Sequence, residues 1–197
     1  DTDVWVRDGQ IQAVGPKLPV PEGAQTVSAQ GLTLMPGLID CHVHVIASHL
    51  NLTYNSQQPN VFATLRAIPI MKGMLMRGFT TVRDVGGATH GLLQAWQEGL
   101  FTGSRLVICG KALGQTGGHT DFRGRYDDRP GFDQRLGSLG RICDGVDAVR
   151  RAAREEIKAG ASFIKIMANG GVASPTDPVG AFGYCEDEIR AIVLPQG

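Results

Sequence analysis

The chain has 197 residues, 42% hydrophobic and 19% charged. That composition excludes a disordered tail and fits one domain or a little more. Nineteen Lys and Arg balance nineteen Asp and Glu, so bulk electrostatics draw the chain to neither nucleic acid nor an anionic membrane surface. The four cysteines, Cys41, Cys109, Cys143 and Cys185, are far apart and form no CxxC pair, which argues against both a disulfide framework and a cysteine zinc site. They read as free thiols in a reducing, cytoplasmic compartment, with Cys41 and Cys109 buried in apolar runs. No apolar stretch approaches the roughly 18 residues of a membrane span, and no signal peptide is visible.

In chain order, Val4-Trp5-Val6 and Ile11-Gln12-Ala13-Val14 flank Asp8-Gly9, a strong hairpin signal. Residues 26–29 and 32–35 read as two more short strands, so 1–35 is expected to be small antiparallel β structure. The character changes at Pro36-Gly37. Leu38 to Val45 is a nearly continuous apolar run, as in a parallel strand buried on both faces. A helix follows over about 61–77, with Leu65, Ile68, Met71, Leu75 and Met76 as its apolar face, Pro69 inside it and Gly78 as its stop. Strands are then expected at 79–85, 105–110 and 162–167. Helices are expected at 92–98, 147–159 and from 187 onward. Residues 114–144 hold seven glycines and show no periodicity. A connection that long inside a compact domain suggests a functional loop.

Strand alternating with helix implies parallel βα units, which a doubly wound sheet and a (β/α)8 barrel both satisfy. His42 and His44 lie two apart on the first of these strands, so both rings face one side at its C-terminal end. Active sites are built at that end in barrels and open α/β sheets. Two neighbouring imidazoles can hold one zinc or similar ion; they can equally be ordinary strand-end histidines. Asp40 shares their face, as a carboxylate behind the ligands or as a loop cap. Lys165 sits inside the apolar run Phe163 to Met167. A lysine there must lose its charge, find a partner, or reach out to water. Gly117-Gly118-His119 follows the third strand, where loops line barrel sites. Arg123, Arg125 and Arg129 are cations that could meet a substrate carboxylate or simply face solvent. His49 and His90 read as ordinary. No Walker or Rossmann glycine fingerprint is present.

Pro36-Gly37-Leu38-Ile39-Asp40-Cys41-His42-Val43-His44 resembles, at all nine positions, the signature that ends the first barrel strand in the amidohydrolase superfamily. Asp3 to Gly15 is similar to the small β-sandwich beside that barrel. Phe163 to Gly171 resembles the fourth strand of the prolidase-like and imidazolonepropionase-related group. The resemblance implies a (β/α)8 TIM-barrel-type fold, here truncated to about its first four βα units (36–197) with part of a β-sandwich (1–35). It implies a metal-dependent hydrolase of amide or peptide bonds, acting on dipeptides or N-acyl amino acids with two zinc or similar divalent ions and a metal-activated hydroxide. His42, His44 and a carboxylated Lys165 would be metal ligands, and His119 and Gly118 would contact substrate. A cyclic-amide or lactone hydrolase, or a non-catalytic fragment, is the alternative. The resemblance also implies that two further histidines, the aspartate acting as general acid/base and a homo-oligomeric state belong to the full-length parent. No catalytic residue can then be assigned here, the last residues 194–197 look like an interrupted helix, and the chain is expected to be inactive alone, with its fourth strand left as an open edge prone to association.

Overall fold

The computed structural model describes residues 2–194, so 195–197 of that expected helix interruption lie outside the described residues. The chain divides into two compact units, Asp1–Pro36 and Gly37–Gly197.

In the first unit, β1 (Asp3–Arg7) and β2 (Gln10–Gly15) pair as the expected antiparallel hairpin. Asp8 and Gly9 both take positive φ, 52° and 73°, the backbone of a two-residue turn that matches strand twist. The strands expected at 26–29 and 32–35 are absent; 16–36 is turn and coil. β propensity measures fit to a half-buried pleated surface. Here Val27, Leu32 and Leu34 are exposed, with no neighbouring strand to complete a ladder.

The second unit is mixed α/β. β3 (Leu38–Val43), β4 (Phe79–Asp84) and β5 (Arg105–Ile108) form a parallel sheet in that order. The short α1 (Leu52–Ser56), which sequence patterning did not indicate, precedes α2 (Asn60–Met76), and α3 (His90–Gln97) follows β4. α2 buries Ala63, Ala67 and Met71, one stripe at helical spacing. This corrects the expected apolar face, because Leu65 and Met76 are exposed. Small alanines let the helix axis approach the sheet, where Val82, Leu106 and Ile108 complete the core. β3 was expected to be buried on both faces, yet Leu38 and Ile39 are exposed. β3 is an edge strand of its sheet, and only Val43 at its end is buried.

The third expected strand, 105–110, stops at Ile108. Gly110 turns with φ 71°, and a Cβ there would lie 2.1 Å from Glu156 Oε2. The chain resumes as β6 (Ala112–Gly114), which pairs in parallel with β7 (Gly140–Ile142), a strand too short to register in sequence periodicity. Around this pair, α4 (Val146–Lys158) and α5 (Glu186–Val193) enclose a second core of Leu113, Val149, Ala152, Ala153, Tyr184 and Ile192. The fourth expected strand, 162–167, is reduced to one parallel bridge between Ile166 and Leu113. The segment still bonds at its two ends, Ser162 N–H to the Ile108 carbonyl and Leu113 with Lys165 and Met167. Between them the neighbouring chain turns at Gly110 and the Lys111 amide donates to Glu156, so the ladder is interrupted. The sheets are small and open.

Cys41, expected to be buried, is exposed, as is Cys185; Cys109 and Cys143 are buried. Burial pushes the Cys109 thiol up to about 12, which suppresses the reactive thiolate. A thiol reagent under native conditions is therefore expected to label Cys41 and Cys185 quickly, and the other two only after denaturation. Mass spectrometry of the labelled chain checks this; rapid labelling of Cys109 in the folded chain would contradict it. No helix among the described residues is long and apolar enough to cross a membrane.

Candidate metal centre

His42 and His44 alternate with Val43 at the end of β3, and Val43 turns into the core. Strand alternation therefore puts both imidazoles on the other face. Their ring centroids are 5.5 Å apart, edge to face. The His42 amide donates to Asp40 Oδ1 at 2.9 Å, so Asp40 braces the strand end just before the pair.

His44 Nδ1 lies 3.0 Å from the Gly86 carbonyl oxygen. A carbonyl only accepts, so Nδ1 must carry the proton and Nε2 the lone pair. This is the backbone-anchored arrangement that orients a metal-binding histidine. Gly86 is held close: a Cβ there would meet the Leu139 carbonyl at 2.6 Å and the His44 ring at 3.4 Å.

Asp84 organises this corner, a role that the sequence, which placed it only on the strand expected at 79–85, did not indicate. It is fully buried and accepts from three backbone amides: Val45 at 2.7 Å, Gly86 at 2.9 Å and Ala88 at 3.2 Å. One carboxylate thus ties the residue after His44 to the turn whose carbonyl orients His44. Burial pushes Asp84 up to about 7, against the pull of the three amides. The available signal was a carboxylate at the end of a strand, followed one residue later by two glycines.

Both histidines are held below their ordinary pKa. Partial loss of water acts first on His42, followed by the Lys165 ammonium and His44. Burial acts first on His44; the Gly86 hydrogen bond opposes it and Lys165 adds to it. Neutral imidazole is the form that binds a metal. Lys165 is half-buried, and its charge is felt at both rings. Two neutral imidazoles, one with its tautomer fixed, suit a borderline divalent ion, while the Lys165 ammonium beside them has no lone pair to offer. Among the described residues, no group of three or more His, Cys, Asp or Glu comes together to hold one.

The 117–119 loop lies elsewhere in the contact pattern. His119 Nδ1 meets Ser174 Oγ at 3.0 Å, and Gly118 is buried against the Gln115 side chain. The loop therefore packs on the segment that follows 162–167. Among the described residues, the His119 hydrogen bond runs to Ser174 and not to the His42–His44 pair. Arg123 and Arg129 are each clamped by the carboxylate two positions earlier: Arg123 by Asp121 and Arg129 by Asp127, both at 2.7 Å. They brace the loop, which accounts for them without a ligand. Arg125 is exposed. His49 accepts from the Asn51 amide at 3.0 Å, an ordinary loop contact.

A family model described as the amidohydrolase family matches residues 33–194, and the chain belongs to that family. Ochratoxinase from Aspergillus niger is 34% identical over 179 residues, covering 81% of this chain and 36% of the enzyme. A crystal structure of an amidohydrolase superposes with a TM-score of 0.91 at 55% identity, covering 98% of this chain and 48% of that one. A prolidase complexed with N-methylphosphonate-L-proline gives a TM-score of 0.91 at 52% identity, covering 96% of this chain and 47% of that one. The chain thus spans about half the length of these solved relatives and about a third of ochratoxinase. Members of the family generally use divalent metals.

Proposed function

We propose that this chain carries the first four βα units of a (β/α)8 metal-dependent hydrolase that cleaves the peptide bond of dipeptides or the amide of N-acyl amino acids. The observation that carries the reading is the His44–Gly86 hydrogen bond, which leaves Nε2 of His44 as a ligand atom on the same strand face as His42. His42 and His44 would hold the metal. Lys165, whose charge reaches both rings, would bridge to a second metal once CO₂ has converted its amine to an anionic carbamate. His119 and Gly118 would contact substrate from the neighbouring loop. A bound divalent ion supplies Lewis-acid polarisation of the scissile carbonyl and activates water near neutral pH. The residues of this chain orient that ion: Gly86 sets the His44 tautomer, and Asp84 holds Gly86.

The substrate class is supported by relatives described as a prolidase and as ochratoxinase. A cyclic-amide or lactone hydrolase using the same ligands is the second reading. Zinc, cobalt or manganese with bicarbonate, assayed on dipeptides, lactones and cyclic amides, tests both. A family-length protein containing this sequence is expected to turn over dipeptides and to lose that activity in His42→Ala and Lys165→Ala. The chain by itself, with two imidazoles and one lysine as donors, is expected to show no turnover. Dipeptide hydrolysis by the chain alone that vanishes in His42→Ala would overturn that expectation. Cleavage of lactones or cyclic amides in place of dipeptides would favour the second reading.

A further inference from the structure

His119 and Ser174 are 55 positions apart and meet at 3.0 Å, Nδ1 to Oγ. The Ser174 hydroxyl has one proton, and it lies 2.9 Å from the carbonyl oxygen of Gly171. That carbonyl can only accept, so the hydroxyl proton is committed to it. Ser174 Oγ then has only lone pairs to offer His119, and Nδ1 must be the donor. Neutral His119 is thereby the Nδ1–H tautomer, the minor form of a free imidazole in water, and its lone pair sits on Nε2.

Gly171 fixes the ring from a second side. A Cβ on Gly171 would lie 2.0 Å from Cε1, 2.3 Å from Nδ1 and 2.5 Å from Nε2 of His119. These distances place the imidazole against the bare Cα of Gly171, where any side chain would displace it. One short segment, 171–174, thus supplies the surface under the ring, the hydroxyl at its edge and the carbonyl that orients that hydroxyl.

We propose that Ser174 is a positioning residue for His119. It holds the ring in the Nδ1–H tautomer and leaves Nε2 as the one ring nitrogen that can accept a hydrogen bond from a ligand. An amide N–H or ammonium suits that lone pair; a carboxylate is met only after the ring takes up a second proton. The tautomer stands on geometry alone. Its consequence for substrate rests on the reading of His119 as a substrate contact.

The test is ¹H–¹⁵N long-range correlation on the chain labelled at histidine, at alkaline pH where the imidazoles are neutral. His119→Gln assigns the signals. His119 is expected to show a protonated Nδ1 and a bare Nε2. Ser174→Ala is expected to move it to predominantly Nε2–H, and Ser174→Thr, which keeps the hydroxyl, to preserve the original pattern. His44, anchored on Gly86, should keep its Nδ1–H pattern throughout and reports that the fold is intact. An Nε2–H pattern for His119 in the unaltered chain overturns the proposal, and so does a pattern that Ser174→Ala leaves unchanged. If the tautomer is as expected but the His119 signals of the family-length protein do not move when a dipeptide is added, the substrate-contact reading fails and the positioning role stands.

Discussion

Replacing Asp84 with Ala is expected to destabilise the second unit by about 3–9 kcal/mol, since a buried amide left without its acceptor costs roughly 1–3 kcal/mol. Three such amides, those of Val45, Gly86 and Ala88, depend on this one carboxylate, and all three residues are buried. Domains are stable by only about 5–15 kcal/mol, so urea denaturation should show a large loss. Asp84→Asn separates stability from metal binding. Its amide oxygen can still accept from Gly86 and Ala88, but its NH₂ group would face the Val45 amide, donor against donor. Because Val45 follows His44, zinc affinity measured against a competing chelator is expected to fall by roughly 10–100-fold, the usual effect of losing a residue that orients a ligand. Unchanged zinc affinity in Asp84→Asn would separate Asp84 from the proposed metal centre. The pH dependence has a definite sign. The folded pKa of about 7 lies above the ordinary 3.8, so the folded state binds the proton more tightly. The contribution is full below about pH 4 and is lost as the pH rises through about 7. Asp84→Asn should remove that slope.

Replacing Glu156 with Ala is expected to cost about 1–3 kcal/mol, the usual penalty for leaving a buried amide, here that of Lys111, without its acceptor. Glu156 is buried on α4. It accepts from the Lys111 amide at 3.1 Å and pairs with Arg141 at 3.3 Å. Its carboxylate occupies the space where a Cβ of residue 110 would be. It therefore joins α4 to the break between β5 and β6. The Lys111 ammonium donates to the Arg135 and Ser138 carbonyls. Burial lowers its pKa to about 8, while Glu156 pulls the other way. Without Glu156 the Lys111 charge is left with less compensation, so the part of the deficit owed to Lys111 should disappear above about pH 8, where the amine is neutral. Arg141 keeps its 2.7 Å pair with Glu155, so what should persist at every pH is the lost acceptor of the Lys111 amide. Denaturation midpoints of the unaltered chain and Glu156→Ala, compared at pH 7 and pH 9, check this; equal stability at pH 7 would show that the pair contributes nothing.

What the amino-acid sequence determined by itself is local. Asp8-Gly9 between apolar runs specifies the hairpin, because two positive φ values in succession suit few other pairs. Helical spacing and the glycine after each helix placed α2 and α4 to within about a residue at each end. The alternation of strand and helix implied parallel pairing, and the two-residue spacing of His42 and His44 put both rings on one strand face. The tertiary structure decided everything that rests on a partner distant in sequence. β propensity at 26–35 came to nothing without a neighbouring strand. The third strand ended before Gly110, which turns with positive φ beside a carboxylate from α4, 46 positions on, that fills its Cβ site. The strand at 162–167 shrank to one bridge where the neighbouring chain turns at Gly110 and the Lys111 amide bonds to Glu156 in place of the segment. The tautomers of His44 and His119 depend on a carbonyl 42 positions away and a hydroxyl 55 positions away. The physical reason is the same in each case. Side-chain periodicity is written along the chain, whereas hydrogen-bond partners, and with them the chemical state of an imidazole or a buried carboxylate, exist only once distant segments have been packed together.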